Sequence, residues 1–386
     1  MRRQPALLFA HTIGVQAITF VLRPAATYQA LDLSVPAAWL GVLGASFAVV
    51  PLLLAVPSGH AVDRFGERRV LIAGPALLAG AAGLFVVFAD SVVGLVAASM
   101  VLGTGHLCAV VGQQALVANT TPQDRYDAAF GYYTFAASLG QALGPGLIVI
   151  FGGGRTVPDT RAIFLGALAI SVPLLAAAAF LRPSGATGAA RTDEAGGVAG
   201  LLRHAGLVRA LTVSCIVLAA VDITLVYLPA LGAERGIAAG TVGVLLALRA
   251  AASMTSRLFL GRLAAAAGRR RLLIGSVVVS AAGLALLLLP VPVWLMAVLV
   301  VAAGLGLGAG QPLTMSYLAE SAPPGLRGRA MSLRLTGNRL GQVVIPSAAG
   351  LLAAGAGAAG VLALTAAGLA GAAVAAGGLH KPGKGN

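Results

Sequence analysis

The sequence predicts an all-α integral membrane protein: twelve transmembrane helices in two six-helix halves, with both termini cytoplasmic. Three observations carry this. Apolar residues make up 58% of the 386 positions and charged residues only 10%, with a mean hydropathy of +0.93, whereas a soluble domain carries roughly 25% charged residues. Apolar runs of the ~20 residues that a membrane helix needs recur along the whole chain. The chain also repeats itself. GHAVDRFGERR (Gly59–Arg69) returns in degraded form as GRLAAAAGRRR (Gly261–Arg271), which pairs Gly59 with Gly261, Gly66 with Gly268 and Arg68-Arg69 with Arg270-Arg271 at one offset of 202 residues (261 less 59). Several matches at a single offset near half the chain length mark an internal duplication.

Taken in order, the first span is expected at 6–28. MRRQPALLFAHTIGVQAITF has the charged start and apolar body of a signal peptide, but Arg23 interrupts the region where cleavage would follow, so an uncleaved span is expected. Spans 2 to 6 follow at 38–58, 70–89, 92–118, 128–151 and 162–181. Asp90-Ser91 makes a tight turn, and the polar segment Asn119–Asp127 closes span 4. Residues 182–208 form the longest polar stretch and read as a linker. Spans 7 to 12 fall at 209–231, 238–260, 272–289, 293–319, 330–353 and 357–379. The expected units are therefore an N-terminal half at 1–181, the linker, a C-terminal half at 209–379 and a tail at 380–386. The duplication extends into these spans: Pro122 and Arg125 match Pro324 and Arg327, and LGQALGP (Leu139–Pro145) parallels LGQVVIP (Leu340–Pro346).

Charge placement orients the bundle. With the N-terminus inside, only Arg155, Arg161 and Arg235 among the loop cations fall outside, as basic-inside topology requires. The net charge of +14 is spread over short loops, not gathered on a polar domain, which argues against a nucleic-acid partner. Cys108 and Cys215 both sit in apolar runs and imply neither disulfide nor metal site. No G-x-x-x-x-G-K-[S/T] loop and no H-E-x-x-H motif occurs, so an enzyme is not expected, and no metal or cofactor either.

GHAVDRFGERR resembles the signature between helices 2 and 3 of the major facilitator superfamily. Gly59, Asp63, Arg64, Gly66, Arg68 and Arg69 fall in place and Glu67 departs; in the second copy, Gly261, Gly268, Arg270 and Arg271 remain and Ala265 replaces the aspartate. The resemblance implies a gating loop that latches the cytoplasmic side, in a fold whose halves are related by an axis along the membrane normal. Gly140-x-x-x-Gly144-Pro145 is similar to a helix-5 motif associated with exporters in that family, although Ile148 and Val149 replace its final glycines. The same glycines also suit close helix packing.

Ionisable residues inside spans are costly and mark function or pairing. They are Arg23, Asp222, Arg249, Arg257, Arg334 and Arg339, with Glu320 at the end of span 10, while spans 3, 6, 9 and 12 carry none. In the family fold those four spans lie outermost and 1, 4, 7 and 10 line the cavity. The resemblance therefore implies a substrate site among Arg23, Tyr28, His106, Asp222, Arg249, Gln311, Asn338, Arg339 and Gln342. Arginine suits carboxylate or phosphate, so an anionic cargo is one reading, and static pairing with Asp222 is the other. Arg257 is read as reaching for the membrane interface. Asp222 is the candidate proton-coupling residue. The expected function is a monomeric secondary transporter in the cell membrane, multi-pass, exporting a small organic solute by proton-coupled alternating access. Uptake of an organic anion and a non-transporting scaffold are the alternatives.

Overall fold

The computed structural model describes residues 3–121, 126–181, 205–321 and 327–378. Most of the linker, the C-terminal tail, Pro122, Arg125, Pro324 and the side chains of Gly59, Asp63, Arg64 and Glu320 lie outside the described residues. Every regular element among those described is a helix: α1 Arg3–Asp32, α2 Ala37–Phe65, α3 Glu67–Phe88, α4 Val92–Thr120, α5 Tyr126–Leu143, α6 Gly146–Gly152, α7 Thr160–Phe180, α8 Ala205–Glu234, α9 Ala239–Leu258, α10 Leu260–Ala267, α11 Arg269–Leu286, α12 Val293–Ser321, α13 Arg327–Leu352 and α14 Gly357–Gly377. Among the described residues ten spans are long and apolar enough to cross a membrane, with α5 and α6 forming one of them. The two long helices outside that set are α11, which opens on Arg269, Arg270 and Arg271, and α13, which carries Arg327, Arg329, Arg334 and Arg339.

Two expectations are corrected. The basic signature is not a loop. Gly59–Phe65 forms the last turns of α2, and Gly66 alone separates α2 from α3. A turn this short needs a backbone that only glycine adopts without strain: Gly66 has φ 81 and ψ 155, and its repeat Gly268 has φ 79 and ψ 139. The segment before Gly268 is likewise a short helix, α10. Nor is span 5 one helix. It stops at Leu143 and restarts at Gly146, because Pro145 has no N–H to continue the ladder.

Each half packs by the same plan. In the first, α1 contacts α4, α5 and α7, α3 lies on α4 and α7, and α2 lies on α4. In the second, α8 contacts α12, α13 and α14, α11 lies on α12 and α14, and α9 lies on α12. The halves meet along α2 with α13, α5 and α6 with α9, and α1 with α8. The outer surface is apolar, with Val93, Phe180 and Val374 exposed at 80%, 75% and 79%, as lipid contact requires. Trp39 and Trp294, the two tryptophans of the chain, are exposed in the first turns of α2 and α12, where an indole suits a membrane interface.

Candidate functional site

The site is built where α1 meets α8. Asp222 of α8 is 5% exposed and Arg23 of α1 is 7% exposed. Arg23 Nη1 lies 2.5 Å from Asp222 Oδ1, an ion pair between the halves. Gln342 Nε2 of α13 donates to the other carboxylate oxygen at 2.5 Å, and Arg339 Nη1 donates to Gln342 Oε1 at 3.0 Å. The spacing of three residues puts Arg339 and Gln342 on one face of α13. The Arg23 guanidinium lies 4.4 Å from the centroid of the Phe47 ring on α2, a cation–π contact that strengthens away from water. Asp222 is thus held by α1 and α13 together, and breaking either contact leaves a buried charge short of partners.

Arg249 of α9 differs from Arg23. It is 2% exposed, its Nε has no partner, and no hydrogen bond or ion pair joins it to the described residues. Arg249 and Arg339 both lie close enough to Asp222 to be attracted by its charge.

The remaining expected residues divide. His106 Nδ1 is 3.1 Å from Thr19 Oγ1, and its ring tilts against Phe47 at 5.6 Å, which brings it to the edge of the cluster. Asn338 accepts from Ser214 Oγ at 3.0 Å. Tyr28 is fully buried, and its hydroxyl and Gln311 Nε2 have no partner among the described residues. No hydrogen bond in the structure links these last three to Asp222. Arg257 does not reach for the interface. Its Nε donates to Gly308 O at 3.3 Å and its Nη1 to Ser138 Oγ at 2.9 Å, so it joins α9 and α12 to α5. Phe47, Ser214 and Ser138 were not among the expected residues. An aromatic ring or a serine in an apolar run carries no signal of its own.

The motif residues have structural roles. A methyl group on Gly140 would lie 2.3 Å from Ile13 O, and one on Gly144 2.7 Å from Ala17 O, so both glycines admit α1. Pro145 caps α6. Arg68 Nη2 donates to Ala179 O at 3.3 Å, and Arg270 donates to Gly377 O. Each signature arginine therefore meets the carbonyl end of the last helix in its own half, where a cation is favoured. Arg69 and Arg271 are exposed.

The two ends of the bundle differ. At the end away from the N-terminal segment, backbones touch: a methyl on Gly41 would lie 2.2 Å from Pro346 O, Ala239 N donates to Arg155 O at 2.6 Å, and Tyr227 Oη donates to Ala37 O at 2.9 Å. At the other end two cavities lie between elements. One of about 890 Å³ is lined by α1, α4 and α5, including Gln4, Thr12, Thr120 and Tyr133. The other, of about 640 Å³, is lined by Phe9, Phe135, Ser138 and Arg257. Along α9, Arg257 is ~12 Å from Arg249. The cavity touching Arg23 itself is about 10 Å³, so the charged cluster is closely packed in this conformation.

The sequence profile of the Major Facilitator Superfamily matches residues 7–232 and 210–385. The chain belongs to the major facilitator superfamily. Comparison with curated protein sequences finds no match. Solved structures of the nucleoside transporter NupG resemble it. A mutant form superposes with a TM-score of 0.79 at 13% identity, covering 97% of this chain and 100% of that one. Another superposes at 0.77 with 14% identity, covering 98% and 99%. At such identities the likeness establishes the fold alone. Members of the superfamily are transporters, not enzymes, so this chain is a multi-pass membrane transporter of small molecules.

Proposed function

We propose that this transporter moves a small organic anion by alternating access, with twelve spans and both termini in the cytoplasm, and that it exports its cargo across the cell membrane in exchange for protons. The observation that carries the reading is the buried Arg23–Asp222 pair between the halves, with Arg249 buried, unpartnered among the described residues and within range of the Asp222 charge. A guanidinium held away from water calls for an anion, and its planar fork matches carboxylate or phosphate. One end sealed by backbone contact and the other hollowed by cavities supports a pathway open to one side at a time. The rocking units are the halves at 1–181 and 209–379, joined by 182–208.

Asp222 is the proposed proton site. As a carboxylate it holds Arg23 and Gln342; once protonated it gives up the ion pair and frees Arg23 to turn toward cargo. The signature around Asp63 is the proposed latch on the cytoplasmic side, with Gly66 and Gly268 supplying its tight turns.

The test is transport in proteoliposomes under an imposed pH gradient, with a panel of organic anions, cations and neutral solutes that includes nucleosides. Anions are expected to move down the drive set by the gradient. Arg249→Ala is expected to abolish the movement, and Asp222→Asn to remove its dependence on the gradient. Movement of cations or neutral solutes that is indifferent to both variants would overturn the reading.

A further inference from the structure

Charge placement around Asp222 specifies more than the sign of the cargo. One carboxylate is shared by three guanidinium groups: Arg23 contacts Asp222 directly, Arg339 reaches it through Gln342, and Arg249 lies within range of its charge without touching it. Among the described residues, Asp222 is the only carboxylate deep inside a span. The Arg23 charge is matched directly by Asp222 and lies on the Phe47 face. Among the described residues the other two charges have no carboxylate of their own: Arg339 is engaged by the neutral amide of Gln342, and Arg249 by no hydrogen bond or ion pair. A guanidinium keeps its proton in proteins, so it cannot relieve this excess by neutralising. The site in this state carries two positive charges more than it can pair.

We infer that the preferred cargo carries two negative charges, with Arg249 as its anchor and Arg339 as the second contact. The inference rests on the anion reading above and deepens it. A dianion such as a dicarboxylate or a phosphate monoester completes the pairing, whereas a monoanion leaves one buried charge unmatched. Arg249 is the better anchor because its donors are uncommitted, while Arg339 must give up or share Gln342.

The experiment compares ligands of one shape and different charge on the purified full chain in detergent. Succinate, its mono-amide and its di-amide are titrated by calorimetry at matched ionic strength and neutral pH, with inorganic sulfate as a minimal dianion. The expected order is succinate about tenfold tighter than the mono-amide, with the di-amide weakest, and sulfate competing with succinate. Arg249→Gln is expected to erase the preference, Arg249→Lys to keep part of it, and the exposed control Arg262→Gln to leave it intact. The charge ratio in the unmodified chain needs no variant, so an Arg249 variant that fails to fold leaves the inference open to refutation.

Equal affinity for succinate and its mono-amide, or no Arg249-dependent binding of any dianion, overturns the dianion inference. If proteoliposomes then still carry monoanions in an Arg249-dependent way, the anion reading stands and only the charge count has failed. If they carry neutral solutes irrespective of Arg249, both have failed.

Discussion

The two halves share their backbone devices and differ in their chemistry. Gly66 and Gly268 adopt nearly the same conformation, with φ 81 and 79. Arg68 and Arg270 each reach the carbonyl end of the final helix in their own half. Side chains at matched positions in the core have diverged. At the offset of the signature, Arg249 corresponds to Phe47 and Asp222 to Phe20; at the offset of Leu139–Pro145, Arg339 corresponds to Ser138 and Gln342 to Gln141. The first half supplies only Arg23 to the charged cluster. The comparison teaches that turns and caps are retained because both halves must fold alike, whereas a site at the seam needs its charges from only one side. Phe47 is the clearest case, since the position that bears the free arginine in one half bears in the other the ring that steadies Arg23.

The largest expected effect comes from breaking the seam. Arg23→Ala leaves Asp222 buried without its ion-pair partner, at a cost of about 3–5 kcal/mol. A sharp fall in melting temperature in detergent is expected, together with loss of transport. Arg23→Leu combined with Asp222→Leu removes both charges and is expected to recover most of the melting temperature but no transport. Strictly additive losses in the double variant would mean that the pair does not hold the halves together.

The shared backbone devices predict matched effects. Alanine at Gly66 or at Gly268 forces a side chain into a glycine-only conformation, at about 1–3 kcal/mol each. Neither site has a neighbour within 4 Å of an added methyl, so the cost is conformational and should be the same in both halves. Thermal melts of the two variants check this, and a neutral Gly268→Ala would break the equivalence. The paired helices sharpen it in the other direction. A methyl added at Gly140 would lie 2.3 Å from Ile13 O, whereas one added at the matching Gly341 would come no closer than 3.2 Å to any neighbour, Cys215 Cβ. Gly140→Ala is therefore expected to destabilise by about 1–3 kcal/mol through overpacking, and Gly341→Ala by clearly less.

Much of this architecture was legible in the sequence because membrane helices write themselves in long apolar runs. The duplication was legible because glycines in forced conformations and basic helix ends resist replacement. The charged cluster was legible residue by residue, since Arg23, Asp222, Arg249 and Arg339 stand out in apolar surroundings. Their pairing was not. Which arginine meets Asp222 depends on how the halves pack across nearly two hundred residues of separation, and spacing along the chain says nothing of that. Arg257 failed for the same reason: its place near a helix end suggested the interface, but Ser138 of the opposite half lies within reach of it. The signature was placed in a loop because its charges are polar enough for one, whereas a helix end exposed beyond the membrane also tolerates them.

The smallest expected effect falls on the signature arginines. Arg68 and Arg270 act at the carbonyl ends of α7 and α14, on exposed hydrogen bonds, and a cation at a helix C-terminus is worth about 0.3–1 kcal/mol. Arg68→Ala and Arg270→Ala should each lower the melting temperature slightly and by similar amounts. High salt should narrow the difference from the unmodified chain, because exposed charges are screened. Arg69→Ala and Arg271→Ala, exposed and with no such bond to the described residues, serve as the controls and should leave stability unchanged. Should Arg68→Ala instead stop transport while Arg270→Ala does not, at equal stability, the first copy would have a role in gating that its structural twin lacks, and the symmetry of the backbone would end at that residue.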